Sequence, residues 1–242
     1  MNELKKIEWL CQAGFLFDVG GKRIAVDPYL TNSCVRLNKG LDRMMPVPIS
    51  AEQLKPDYVF FSHDHQDHFD AESVASLYKL HKDCFFAGPD STNTHFKRMK
   101  LDGLRFQTLI KNCEFDFKYF SVKPVVAHHS DPLALGYVFD FDGRKIYFSG
   151  DTEYSSALSY EVLKAANGKV DMVFVVINGK GGNMNWHEAV KLVAELKPRQ
   201  AVPMHYGLFP ANTENPNPFK KEVEKLSIKC VLPQAGKELD FS

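Results

Sequence analysis

The chain has no CxxC pair, and its five cysteines (Cys11, Cys34, Cys84, Cys113 and Cys230) make an odd set. Neither a disulfide framework nor a thiolate metal site is expected, and these thiols read as small buried hydrophobes. Runs of like charge are also missing. Thirty basic residues stand against thirty acidic ones, so there is neither the basic stripe of a nucleic-acid partner nor the face of an anionic-lipid binder. No stretch approaches the roughly 18 apolar residues of a membrane span, and the opening "MNELKKIEWLCQAGF" has no long apolar leader core. These absences predict a cytoplasmic protein that meets a small molecule, not a nucleic acid or a membrane, and they leave a homo-oligomer open. No linker or repeat divides the 242 residues, which predicts a single domain over 1–242.

What is present is mostly strand-like. "KIEWL", "GFLFDV" and "KRIAV" open the chain, the last two joined by Gly20-Gly21 as a hairpin signal. An irregular segment from Asp27 to Pro56 follows, of a length that is usually functional or mobile. "DYVFF" is a short buried-type strand. Asp70 then caps a predicted helix whose Val74, Leu77, Tyr78 and His81 share a face. "CFFAG", "LRFQTL", "CEFDF" and "SVKPVVA" read as strands, as do "LGYVFDF" and "KIYFSG" on either side of the Asp142-Gly143 turn. Tyr154 to Asn167 reads as a helix stopped by Gly168, and "DMVFVVI" as a strand buried on both faces. Asn185 and Glu188 form a capping-box start for a helix carrying Val190, Val193, Ala194 and Lys197. "QAVPM", a helix from about Pro218, and "KELDF" complete the chain. Sheets covered by helices on the outside are the layered solution to this order.

The chemistry concentrates in "FFSHDHQDHFD", Phe60 to Asp70. Side chains two apart on an extended segment point the same way, so His63 and His65 can close on one ion. Asp67 and His68 follow where the strand gives way to the capped helix. The pattern recurs: "PVVA" runs into His128-His129, "KIYFSG" into Asp151 and "AVPM" into His205. Four strand ends carrying imidazole or carboxylate can converge on one rim. Such donors, without thiolate, suit zinc, manganese or iron.

The HxHxDH run with a later His, Asp and His resembles the metallo-β-lactamase superfamily. Within it, "DPYL", "SHDHQDHFD", "LGYVFDFDGRKIYFSGDTEY", "NGKGGN" and "VPMHYGLF" resemble the L-ascorbate-6-phosphate lactonase-like branch. The resemblance implies an α/β fold, a four-layer αββα sandwich, with two divalent metal ions, zinc or manganese, at one edge. It implies one ion on His63, His65 and His129, a second on Asp67, His68 and His205, and Asp151 bridging. His129 is preferred to His128, which would face the other side of its strand. Ions so bridged would lower the pKa of bound water and polarise a substrate carbonyl or phosphoryl oxygen, with Asp67 also holding the hydroxide in line as a base-like catalytic residue. Asp27 resembles the position that orients a ligand imidazole from behind, or simply starts an Asp-Pro turn.

Candidate substrate contacts are Arg43, Lys180 and Lys39 as cations, Asn178 and Asn183 in the glycine-rich "NGKGGN", and Tyr206 beside His205. His81 and His95 read as packing residues and His187 as a surface residue of its helix. The expected activity is metal-dependent hydrolysis of a small anionic metabolite, such as a phosphorylated sugar lactone or ester. The alternative is a metal-dependent nuclease or phosphodiesterase of the same superfamily, which would want the basic face this chain lacks.

Overall fold

The computed structural model describes residues 3–241. Strands β1 (Leu4–Trp9), β2 (Phe15–Val19) and β3 (Lys22–Val26) form an antiparallel meander. The β2–β3 link is Gly20-Gly21 with φ of 58° and 80°, the left-handed pair that a tight, twist-matched hairpin requires. Beyond β3 the pairing turns parallel, as β4 (Tyr58–Phe60), β5 (Phe85–Gly88) and β6 (Phe106–Thr108) join in sequence. The second half repeats the plan. An antiparallel run of β7 (Phe115–Asp116), β8 (Ser121–Val126), β9 (Leu135–Phe141) and β10 (Arg144–Phe148) continues into parallel β11 (Met172–Val176), β12 (Gln200–Met204) and β13 (Lys229–Cys230). Parallel neighbours send their carboxyl ends to the same edge, and that edge carries the chemistry.

Alternation decides the layers. In β2, Phe15 and Phe17 meet Phe174 of β11 with ring centroids 4.6 and 5.6 Å apart, while Leu16 between them packs on the helix side. In β4, Phe60 meets Phe139 at 5.3 Å, while Val59, and Phe61 just past the strand, join the helix side. Helices α1 (Ala51–Leu54), α2 (Ala71–Leu80) and α3 (Asp90–Arg98) cover that side through Leu54, Val74, Leu77 and Phe96. Helices α4 (Leu158–Ala165), α5 (Trp186–Leu196) and α6 (Pro216–Lys225) cover the second sheet through Leu158, Val162, Leu192 and Val223. The result is the expected αββα sandwich. No helix among the described residues is long and apolar enough to cross a membrane, and all five cysteines are free, with only Cys113 exposed.

Several elements depart from the sequence reading. Helix α3 was not foreseen, because Asp90 to Arg98 buries only Thr92, Asn93 and Phe96 and so carries little apolar period. The buried face of α5 is Ala189, Leu192, Val193 and Leu196, and Lys197 is its left-handed C-cap at φ 48° instead of a member of the helix face. Helix α4 begins at Leu158, later than expected, and α6 begins at Pro216 behind the Asn215 cap. "KELDF" is not a strand, and the sheet edge is taken by β13. Between Asp27 and Pro56 lie two 3-10 turns, Ser33–Arg36 and Lys39–Leu41, and helix α1.

Asp70 does more than cap α2. Its carboxylate accepts from the Glu72 and Ser73 amides and from the hydroxyls of Thr31 (2.7 Å) and Ser33 (2.8 Å), so one buried side chain ties the loop after β3 to the helix after the histidine cluster. Asp70→Ala should destabilise the fold by about 2 kcal/mol, a lost cap plus stranded hydroxyls, read as a lowered urea midpoint. Asp70→Asn, which keeps the acceptor, should lose less.

Candidate metal centre

The candidate ligands sit directly after strands: His63 and His65 after β4, His129 after β8, Asp151 after β10 and His205 after β12. Each of these strands is anchored in the buried core. Three groups of ligand atoms lie within 4.8 Å of one another: His63, His65 and His129; His63, His68 and Asp151; and Asp67, His68 and His205. Asp151 reaches both sides, with its carboxylate oxygens 3.4 Å from His68 Nε2, 3.2 Å from His205 Nε2 and 3.9 Å from His129 Nε2. Its turn leaves β10 through Gly150 at φ +59°, where a Cβ would come 2.9 Å from Ser62 Cβ. Only glycine lets that backbone pass so close.

Behind the cluster, Asp27 sets the imidazoles. Its carboxylate accepts from the Ser62 amide (2.7 Å), the Ser62 hydroxyl (2.6 Å) and His68 Nδ1 (2.7 Å). A carboxylate only accepts, so His68 Nδ1 carries a proton and Nε2 is the position turned to the site. The Ser62 hydroxyl has spent its one hydrogen on Asp27, so at 3.0 Å from His63 Nδ1 it accepts, and His63 likewise presents Nε2. His63 Nε2, His68 Nε2 and Asp151 Oδ1 are buried with no hydrogen-bond partner among the described residues. His68 Nε2 and Asp151 Oδ1 meet in an ion contact at 3.4 Å, and His63 Nε2 has no polar partner among the described residues; an unmet buried polar atom costs about 1–3 kcal/mol, which a cation at this point would relieve. Imidazole and carboxylate donors so grouped fit divalent metal ions.

The electrostatics divide the cluster. Burial, followed by the neighbouring imidazoles, pushes His63 and His65 below the ordinary histidine range. Burial would also depress His68 and His205, but Asp151 and Asp67 reverse it, lifting His68 well above the ordinary value and His205 to about 9. Burial would raise Asp67 and Asp151; His68 and His205 instead hold both below the usual carboxylate range. His63 and His65 are thus neutral imidazoles, and Asp67, His68, Asp151 and His205 form an interleaved set of carboxylates and imidazoles whose protons an incoming ion would displace.

His129 joins the cluster, with Nε2 3.1 Å from His65 Nδ1 and Nδ1 3.4 Å from the Gly182 carbonyl. His128 is exposed. Four of the expected substrate contacts have partners within the fold. Arg43 donates to the carbonyls of Tyr29, Thr31, Met45 and Pro46 and lies over the Tyr29 ring, so it staples the loop after β3. Asn183 gives its amide to Asp151 Oδ2 (2.7 Å) and to Asn178 Oδ1 (3.0 Å), and Asn178 donates to Asn212; both hold the centre together and are not presented to solvent. Tyr206 stacks on Trp9 and donates to the Pro233 carbonyl (3.4 Å), so it packs. Lys180 is exposed, tethered to the Ala211 carbonyl at 3.2 Å, and Lys39 is exposed.

His81, at 2.7 Å from the Ala51 carbonyl, packs as expected, and His187 lies against Trp186. His95 stacks on Phe69 and holds Asp64 Oδ1 at 2.6 Å, steadying the backbone between His63 and His65. Gln12 was missed: it donates to Asp67 Oδ2 at 2.8 Å from a position 55 residues away in sequence, and nothing local in "LCQAGF" signals that contact.

A family model described as the β-lactamase superfamily domain matches residues 22–206. A UPF0173 metal-dependent hydrolase of Thermococcus onnurineus is 31% identical over 94% of this chain and 96% of its own. The chain belongs to the UPF0173 metal-dependent hydrolases of the metallo-β-lactamase superfamily. Solved structures share the fold of this UPF0173 member. Igni18, a metallo hydrolase of Ignicoccus hospitalis, matches with TM-score 0.77 at 21% identity, covering 96% of each chain. An isothiocyanate hydrolase from Delia radicum gut bacteria matches with TM-score 0.77 at 18% identity, covering 98% of this chain and 99% of its own.

Two variants test the centre. Asp27→Ala should weaken metal binding about 10- to 100-fold by freeing the His68 and His63 rings, measured by chelator competition. His129→Ala should lower bound metal while His128→Ala leaves it unchanged, by elemental analysis; the reverse outcome would move the ligand by one residue.

Proposed function

We propose that this UPF0173 hydrolase works with two divalent ions, zinc or manganese, on a small anionic ester or lactone. His63, His65 and His129 would hold one ion, Asp67, His68 and His205 the other, with Asp151 between them. The observation that carries this reading is the interlocking of three ligand groups through His63, His68 and Asp151. Ions held there would supply activated water and polarise a carbonyl or phosphoryl oxygen. The chain's own residues do the positioning. Asn183 restrains Asp151 through its amide, the Gly182 carbonyl restrains His129, and Asp27 keeps two rings turned inward. Asp67, with one oxygen held by Gln12, would align the attacking water.

Support for an anionic substrate rests on Lys180 and Lys39, because Arg43 is consumed by the loop. Lys180 belongs to the same glycine-rich segment whose Gly182 carbonyl meets His129, so a phosphate or carboxylate bound to it would lie close to the ions. The resemblance of "SHDHQDHFD" and "VPMHYGLF" to the lactonase-like branch favours a phosphorylated sugar lactone. In this reading the protein acts as a single cytoplasmic domain without a nucleic-acid partner. The 18%-identical fold neighbour that hydrolyses isothiocyanates adds a second small electrophile worth assaying.

The test is a side-by-side assay of phosphorylated and unphosphorylated lactones, an isothiocyanate, a phosphodiester and pre-tRNA with metal-loaded protein, using His65→Ala as the blank. Turnover of a small ester should vanish on chelation, and Lys180→Ala should raise KM about tenfold for the phosphorylated substrate only, the loss of one charge-assisted contact. Metal-dependent cleavage of RNA with no small-molecule turnover would overturn the proposal in favour of a nuclease.

A further inference from the structure

Gln12 touches residues of one ligand set and none of the other. It lies in the β1–β2 turn, fully buried, at φ 53° directly after Cys11 at φ 76°. Two successive left-handed residues without glycine persist only when their surroundings over-determine them. Here the Gln12 carbonyl accepts from Trp9 Nε1 at 3.0 Å and from the backbone amide of His205, also at 3.0 Å. His205 itself stands at φ 64°, so the backbone that aims this imidazole hangs on the Gln12 carbonyl.

The side chain returns to the same pair. Nε2 donates to Asp67 Oδ2 at 2.8 Å and lies 3.2 and 3.0 Å from Nδ1 and Nε2 of His205. An amide nitrogen this close to both ring nitrogens cannot meet both along their in-plane directions, so it braces the ring more than it bonds to one edge. Oε1 is buried with no partner among the described residues. A buried orphan acceptor costs stability, and an apolar side chain of the same length would fill the space without that cost. A neutral donor also suits the place, because Lys or Arg would hold Asp67 while repelling a cation.

We propose that Gln12 is the positioning residue for the ion held by Asp67, His68 and His205, acting on that ion and not on the one held by His63, His65 and His129. The inference rests on the two-ion reading above. Its consequence is stepwise loading in which the tightness of one step depends on Gln12 and that of the other does not.

The experiment is chelator-competition titration of the full chain with zinc and separately with manganese, comparing wild type with Gln12→Met, which keeps the length and removes the N–H. One binding step should weaken about 10- to 100-fold, the range for losing a group that orients a ligand, and the other should stay within about twofold. Cobalt-substituted protein should show the absorption of one site altered and the other retained. The Gln12→Met melting temperature should stay close to that of wild type, since the lost hydrogen bond to Asp67 is offset by removal of the orphan Oε1. If Gln12→Met does not fold, Gln12→Asn, whose amide falls short of Asp67, should give the same selective loss. Equal weakening of both steps, or of neither, would overturn the role of Gln12. Uptake of a single ion by the wild type would instead remove the two-ion reading itself, and the inference with it.

Discussion

The Asp27 carboxylate, buried at the end of β3, is the constraint on which the centre depends. It takes the Ser62 amide, the Ser62 hydroxyl and His68 Nδ1 at once. A buried carboxylate needs that many donors to offset its desolvation, and the donors it recruits determine which ring nitrogens are left for the site. Through Ser62 the same constraint reaches His63, so one acidic residue outside the three ligand groups orients two of their imidazoles. Asp27 holds this place at φ 45°, a conformation that L residues seldom adopt unless the surroundings enforce it.

That enforcement comes from the sandwich. Paired aromatic layers, Phe15, Phe17 and Phe60 on one sheet against Phe139, Phe148 and Phe174 on the other, leave the strand ends little freedom. Left-handed residues gather where the strands stop: Cys11 and Gln12 after β1, Asp27 after β3 and His205 after β12. A rigid core thus lets the rim hold a dense set of like and unlike charges, with burial and ion-pairing setting the protonation of His63, His65, His68 and His205. Asp67 and Asp151 outweigh burial at His68 and His205, whereas at His63 and His65 burial and the neighbouring imidazoles outweigh the carboxylates.

The metal cluster was legible in the sequence because its signals are local: "SHDHQDH" is contiguous, and His129, Asp151 and His205 each end an apolar run. The layered fold was legible for the same reason, through hairpin turns at Gly20-Gly21 and Asp142-Gly143 and capping at Asp70 and Asn185. What escaped is non-local or polar. The pairing of Gln12 with Asp67 spans 55 positions, and α3 packs with three buried residues, two of them polar. The intramolecular partners of Arg43, Asn178, Asn183 and Tyr206 were not legible, because a donor's residue type says nothing about whether the fold has already claimed its hydrogen bonds. Their carbonyl and amide partners in the loop after β3 and around Asp151 could be found only in three dimensions.

The most direct test is anomalous diffraction at the zinc or manganese edge from crystals of metal-loaded protein. The account predicts two peaks roughly 3.5–4 Å apart, one met by His63 Nε2 and the other by His68 Nε2, with Asp151 touching both and Asp27 still on His68 Nδ1. A single peak, or coordination of either histidine through Nδ1, would contradict it.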